Sequence, residues 1–332
     1  MSFLQTFSKY RTGILLIFLV LLIWADVFTG TSSDFKDLWH ALTNYDSEQL
    51  DQLVLREFRI PRAVTACFAG AALSICGLLM QTMFNNPLAG PYVLGISSGS
   101  SLFVALGAMS GFHFFKSDPG NIVLAFGGSL VFGLIILGFA RWIRSQVSLL
   151  LAGLMLGSVA GAMITALEAT AAAQELRSYT LWTMGSLSNT TFDQIPLMMG
   201  VVLPSLLACV FMVKPLNALL LGEEHAALLG IRMVRFRTTA VILTSVLAGT
   251  VTAFCGPIAF VGLAVPNLVK LLFKSASHSK LLVGCALLGA LFLVLTDLVI
   301  HWMEPYFLLP LNAFTTLIGA PVVLYLILKR WS

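Results

Sequence analysis

The residues in this sequence that could do chemistry are few, and they are not gathered. Five histidines and five cysteines are scattered over 332 residues. A metal site needs His, Cys or carboxylate ligands at short fixed spacings, and no such grouping occurs. Cys67, Cys76, Cys209, Cys255 and Cys285 each sit inside an apolar run, where a thiol is a small inert hydrophobe rather than a ligand or half of a disulfide. The patterns H-E-x-x-H, G-x-S-x-G and G-x-x-x-x-G-K-S/T are missing. Catalysis by the chain itself, and ATP binding on a phosphate loop, are therefore not expected. With 19 Lys+Arg against 15 Asp+Glu, a net +4, the basic excess is too mild to suggest a nucleic-acid partner.

Two polar clusters and one set of hydroxyls remain. Arg56-Glu57-Phe58-Arg59-Ile60-Pro61-Arg62 stands directly before a long apolar run. Its guanidiniums either anchor that helix or hold a partner's carboxylates in bidentate pairs. The second cluster, residues 214–237, carries Pro215 where a helix can start and Gly230 where one can end. Between them Leu221, Ala226, Leu228 and Leu229 leave an apolar face with a charged rim that includes Glu223 and Glu224. Such a segment suits a partner's groove, or it rests on lipid headgroups. Ser97, Ser98, Ser100, Ser101, Asn312, Thr315 and Thr316 can line an uncharged path or bond helix to helix. Ion-coupled carriers bury carboxylates, histidines or lysines at mid-membrane depth, and here no apolar run has a charge near its middle. Asp26, Glu168, Asp297 and His301 lie toward one end of their runs, Arg141 and Lys270 toward the other, and Asp26 and Lys270 read as interfacial anchors.

The elements that must position these groups follow from composition. Hydrophobic residues make up 58% and charged residues 10% of the chain, and mean hydropathy is +0.93, which excludes an ordinary soluble enzyme. A bilayer core takes about 20 apolar residues per helix. Charge-poor runs at 12–25, 119–140, 145–167, 194–213, 281–301 and 305–328 each suit one span. The run 63–115 suits two, joined at Asn85-Asn86-Pro87-Leu88-Ala89-Gly90-Pro91. The run 238–269 is divided at Gly256-Pro257 into a full helix and a short one. The expectation is one all-α transmembrane domain over 1–332, with about ten spans and an uncleaved first span. Placing both termini in the cytoplasm puts 13 of the 19 Lys/Arg inside, as the positive-inside rule requires. A weak echo, with Ala69-Gly70, Cys76-Gly77 and Pro87 recurring as Ala248-Gly249, Cys255-Gly256 and Pro266, suggests halves of inverted topology.

Taken together, these segments resemble the permease subunits of ATP-binding-cassette importers for iron-siderophores, haem and vitamin B12. The likeness runs nearly end to end. It is carried by Arg59-Ile60-Pro61-Arg62, Ala69-Gly70-Ala71-Ala72-Leu73, Gln81 through Ala89, Leu94-Gly95-Ile96-Ser97-Ser98-Gly99 and Leu149-Leu150-Leu151-Ala152-Gly153. Further matches are Leu221-Gly222-Glu223 … Ala226 … Leu229-Gly230, then Gly262-Leu263 … Val265-Pro266, and Leu317-Ile318-Gly319-Ala320-Pro321. The resemblance implies a homodimer in a bacterial inner membrane, two cytoplasmic ATPase subunits that hold ATP and Mg, and an extracytoplasmic binding protein. The permease itself needs no cofactor or metal.

By the same resemblance, Leu221, Gly222, Glu223, Ala226, Leu229 and Gly230 belong to a coupling loop seated on the ATPase. Arg59 and Arg62 match positions that dock the binding protein, and His301 stands where an arginine is common in the family, so a third docking contact there is either weaker or dependent on pH near the reference histidine pKa of about 6.5. Asn86 and Leu88, with Ser145 and Gln146 in the turn 145–148, match gate positions, and Ser97 and Ser98 join them along the path. Gly90 replaces a common acid, and Asn267 a common histidine, with no sequence-level account of the change. The expected cargo is a metal chelate: ferric siderophore first, then cobalamin or haem. An ion-coupled secondary transporter is the competing class.

Overall fold

The computed structural model describes residues 2–28, 35–43, 45–46, 48–109, 118–143, 145–304, 306 and 309–331. Among the described residues all regular structure is helical: α1 Ser2–Phe28, α2 Phe35–Thr43, α3 Leu50–Val54, α4 Ile60–Met83, α5 Ile96–Met109, α6 Asp118–Trp142, α7 Gln146–Glu168, α8 Ala173–Thr183, α9 Ile195–Phe211, α10 Val213–Leu219, α11 Glu223–Leu228, α12 Met233–Cys255, α13 Val261–Phe273, α14 His278–Met303 and α15 Leu311–Trp331. Seven helices are long and apolar enough to cross a membrane, and α5, α13 and residues Leu311–Tyr325 of α15 are shorter apolar helices. Phe115, Lys116, Arg144 and Pro305, used above to bound spans or count charges, lie outside the described residues, as do the side chains of Lys9, Lys36, Lys329 and Arg330.

Helix α4 is buried along almost its whole length and packs against α14, α12 and α13. Its sequence explains why. Lipid tails are as apolar as leucine, so helices in a bilayer associate through close packing and polar contacts rather than hydrophobic force. Ala63, Ala66, Ala69, Gly70, Ala72, Ser74 and Gly77 give α4 a surface of small residues on which neighbouring backbones can rest. Gly70 lies against the Gly289 carbonyl of α14, and Gly77 against the Gly262 backbone of α13. Between them the Ser74 hydroxyl donates to the Cys285 carbonyl at 2.6 Å, with the Ala71 carbonyl 3.0 Å away. A second unit packs the same way: Gly99 of α5 meets Gly128 and Phe132 of α6, while Gly249 of α12 meets Ser129.

The breaks occur where turn chemistry places them. Asn85 (φ 43°) and Gly95 (φ 73°) bracket the turn between α4 and α5. Gly256 (φ 73°) ends α12, and a Cβ there would collide with the Trp182 carbonyl. The echoed glycines are thus put to different uses, Gly77 inside a helix and Gly256 at the end of one. The 213–230 segment is not the single helix that Pro215 and Gly230 suggested. Gly222 (φ 95°) splits it into α10 and α11, and Gly230 (φ 86°) closes the second. Helices α2, α3 and α8 were not foreseen. Nor does the arginine cluster precede a helix: α3, a π-helical turn Leu55–Arg59 and α4 are continuous.

Because Gly77 touches backbone, Gly77→Ala should cost about 3 kcal/mol through overpacking and lower the thermal unfolding midpoint in detergent. Gly161→Ala, where a Cβ meets open space, is the control and should leave the midpoint unchanged.

Candidate functional site

Side-chain bonds sort the functional candidates into two groups at opposite ends of the helices. At the end holding the carboxy-terminus of α4, the segment expected to couple to a partner is pinned and its apolar face turned out. Glu223, the first residue of α11, accepts from Arg237 Nη2 of α12 at 2.7 and 2.8 Å and from Gln146 Nε2 of α7 at 2.7 Å. Ala226 is fully buried beneath the same turn, whereas Leu221, Leu228 and Leu229 are 63%, 86% and 63% exposed. Of the residues expected to couple, Ala226 is buried, Glu223 is half-buried and bonded within the chain, Gly222 and Gly230 shape the turns, and Leu221 and Leu229 project, as does Leu228. Gln146 spends its amide on Glu223, and Ser145 caps α7 by accepting from Ser148 N–H.

The turn after α4 lies at the same end. Asn86 Oδ1 accepts from the Leu88 N–H at 2.9 Å, and the Asn86 N–H donates to the Gln81 carbonyl at 3.0 Å. Asn267 of α13 donates to the Pro87 carbonyl at 3.0 Å and the Leu263 carbonyl at 2.8 Å, which supplies the account of an amide at 267. Lys270 is not a plain interfacial anchor, since its Nζ donates to Gln81 Oε1 at 2.9 Å. Leu88 is exposed beside these bonds.

At the other end, Arg62 Nε donates to both carboxylate oxygens of Asp297 at 2.7 Å, and its Nη1 to Glu304 Oε1 at 3.0 Å. His301 Nδ1 lies 3.0 Å from Glu304 Oε2. Arg62 and Asp297 side chains are 13% and 3% exposed, and Asp26 is buried beside them, facing Asp297, Arg62 and Arg59. The anchor reading of Asp26 is therefore replaced by membership of a buried charge cluster. Partial burial of Glu304 opposes its charge, but Arg62 and His301 outweigh it and hold the carboxyl below its usual range. Arg62 and His301 thus already have acidic partners within the chain, and half-buried Arg59 sits at the cluster's edge. Glu304 was missed, although 297, 301 and 304 follow helical spacing on one face. Arg56 stacks over the rings of Tyr45 (4.2 Å) and Phe192 (4.8 Å), so this third guanidinium braces the fold by cation–π contact.

Near this end an open cavity of about 560 Å³ is lined by Thr183, Met184, Asn312, Ala313, Thr316 and Leu317. That size falls within the range of about 300–1,000 Å³ usual for small-molecule sites. Asn312 Oδ1 accepts from the Ala259 N–H at 3.1 Å, and Thr315 is buried. Ser97 is buried, and Ser98 rests against Gly157 of α7. A further bonded group, Asn217, His278 and Thr82, went unnoticed because its members lie on three separate helices.

Comparison with known proteins places these features in context. Residues 15–329 match the model of the FecCD transport family. The hemin transport system permease protein HmuU of Yersinia pestis is 34% identical over 326 residues, covering 97% of this chain and 96% of that protein. The vitamin B12 import system permease protein BtuC of Citrobacter koseri is 35% identical over 295 residues, 88% of each. A solved structure of a metal-chelate type ABC transporter in an inward-facing conformation superposes with a TM-score of 0.85 at 26% identity, covering 97% of this chain and 99% of that one.

Two measurements follow from the geometry. Arg62→Met leaves Asp297 buried without its cation and should cost about 3 kcal/mol, read as a lower unfolding midpoint; adding Asp297→Asn should restore most of the loss. Glu223→Ala should raise amide hydrogen exchange across 216–230 at least fivefold while leaving exchange in α4 unchanged. Equal exchange in the two proteins would contradict the pinning role of Glu223.

Proposed function

The chain belongs to the FecCD transport family, and from that premise we propose that it is the membrane permease of an ATP-driven importer carrying a metal chelate across a bacterial inner membrane. The observation that carries this reading is the coupling segment. Three exposed leucines, Leu221, Leu228 and Leu229, lie on and beside a short helix whose first residue, Glu223, is held by Gln146 and Arg237. Exposed leucines on a braced, polar-flanked helix suit the groove of a partner, and the partner we assign is an ATP-binding-cassette ATPase, which holds ATP and Mg. The chain works as two copies with two ATPases, both termini and the 214–237 loop on the cytoplasmic side, as the Lys/Arg distribution favours. ATP shifts the permease between outward and inward access by binding one state better than the other.

The opposite end receives the binding protein. Arg59 is the docking cation of first choice; Arg62 and His301 contribute when a carboxylate of the binding protein competes with Glu304 for them. Asn86 and Leu88, together with Ser145 and Gln146 at the start of α7, form the cytoplasmic gate. The cargo passes the hydroxyl and amide groups of Thr183, Asn312 and Thr316. The order we assign is ferric siderophore, then cobalamin, then haem; the described lining of Thr183, Asn312 and Thr316 carries hydroxyl and amide groups rather than an imidazole for a haem iron.

Native mass spectrometry of the gently extracted complex tests the assembly, and ATP hydrolysis with a panel of iron chelates, cobalamin and haem, each with its binding protein, tests the cargo. The expected result is two permeases with two ATPases and stimulation by one cargo. Leu229→Asp should reduce recovery of the ATPase at least tenfold, and Gly230→Val, at a positive φ, should uncouple hydrolysis from uptake. A lone chain that moves cargo on an ion gradient without ATP would overturn the reading in favour of a secondary transporter.

A further inference from the structure

A buried histidine joins a coupling helix to the helix that carries the gate turn. His278 opens α14 and is 1% exposed. The side-chain oxygen of Asn217, on α10, accepts from the His278 backbone N–H at 2.8 Å and lies 3.0 Å from the ring Nδ1. An oxygen already fixed as an acceptor can bond the ring only if Nδ1 carries the hydrogen. Nε2 then accepts from Thr82 Oγ1 of α4, 2.9 Å away; the same hydroxyl lies 2.9 Å from the Leu78 carbonyl and shares its proton between the two acceptors. Both ring nitrogens are thus engaged, each toward a different helix. The Asn217 oxygen also satisfies one of the N–H groups that the first turn of α14 leaves unbonded.

The bonded chain does not stop at Thr82. Its neighbour Gln81 accepts the Asn86 N–H on its carbonyl, donates its amide to the Leu263 carbonyl at 3.2 Å and accepts Lys270 Nζ on Oε1. Asn267 holds the Pro87 carbonyl from the same helix, α13. Leu216, beside Asn217, is fully buried, and α10 packs on α4 and α14, so this coupling helix cannot move without carrying its contacts along.

We propose that His278 is the positioning residue that transmits movement of the coupling helices to the gate turn. A displacement of α10 moves Asn217, and the imidazole carries it to Thr82 and the end of α4, where Asn86 and Leu88 sit. This rests on the importer reading above. A run of hydrogen bonds is not by itself coupling; both ends must bias one equilibrium, and the test is built on that condition.

The reporter is Tyr92→Cys, exposed just beyond the turn, in the purified complex with its ATPase in lipid nanodiscs. Its rate of modification by a hydrophilic maleimide is read with and without ATP, against the same complex lacking the added cysteine. The parent should show an ATP-dependent change in rate. His278→Phe should shrink that change at least fivefold while hydrolysis per complex stays within twofold, a split that a merely structural role would not produce. Thr82→Val and Asn217→Ala should each shrink it, and Thr82→Val added to His278→Phe should remove nothing more; these two variants carry the test if His278→Phe does not accumulate. A full ATP response in the variants, additive losses, or a parent complex that hydrolyses ATP with no response at the reporter would overturn the relay alone. A parent chain that recruits no ATPase would overturn the importer reading beneath it.

Discussion

The close approach of backbones between α4 and its neighbours α14 and α13 is the constraint on which the rest depends. With lipid on the outside there is no hydrophobic force to draw helices together, so association must come from van der Waals contact and hydrogen bonds made at short range. Gly70 against Gly289, Gly77 against Gly262 and the Ser74 bond to the Cys285 carbonyl supply both. They fix α4 and α14 in register at mid-length. The two ends of the pair then carry the polar chemistry: Arg62 faces Asp297 and Glu304 at one end, and Thr82 faces His278 at the other. A slip of one turn, about 5.4 Å, would unmake both sets at once.

The charged groups drawn in at the two ends of the helices are affordable because they are matched. Arg62 and Asp297 leave water together, with Glu304 and His301 completing the cluster. Glu223 satisfies Arg237 and Gln146 in one place. Such pairs lend specificity of register more than stability, since desolvation consumes much of the Coulomb gain. They also mark the two faces of the molecule by opposite roles. One cluster lines a small recess with residues 185–188 and Leu309; the other braces α11 next to the exposed Leu221, Leu228 and Leu229.

Much of this was legible in the residue pattern. The span limits came from charge-free runs, and the breaks at 85–91 and 256–257 came from Asn, Gly and Pro, whose backbone preferences are local. The arginine cluster and the leucine-bearing loop were visible as departures from their surroundings. What misled was the orientation of individual side chains. Ala226 and Glu223 read as part of a docking surface and turned inward; Asp26 and Lys270 read as anchors and were found bonded to neighbouring helices; Pro215 and Gly230 suggested one helix where Gly222 made two. A helix of six residues, α11, is too short for periodicity to say which face is covered.

The sequence by itself determined that this is a multi-span helical membrane protein, where its long apolar helices break at 85–91 and 256–257, and which family it belongs to, because apolar length, turn residues and motif order are properties of the chain read in one dimension. Tertiary structure alone decided which polar groups meet. Thr82, Asn217 and His278 are separated by up to 196 residues, and Arg62 and Asp297 by 235. No local signal pairs them; only the register set by small-residue contacts between α4 and α14 brings them within hydrogen-bonding distance.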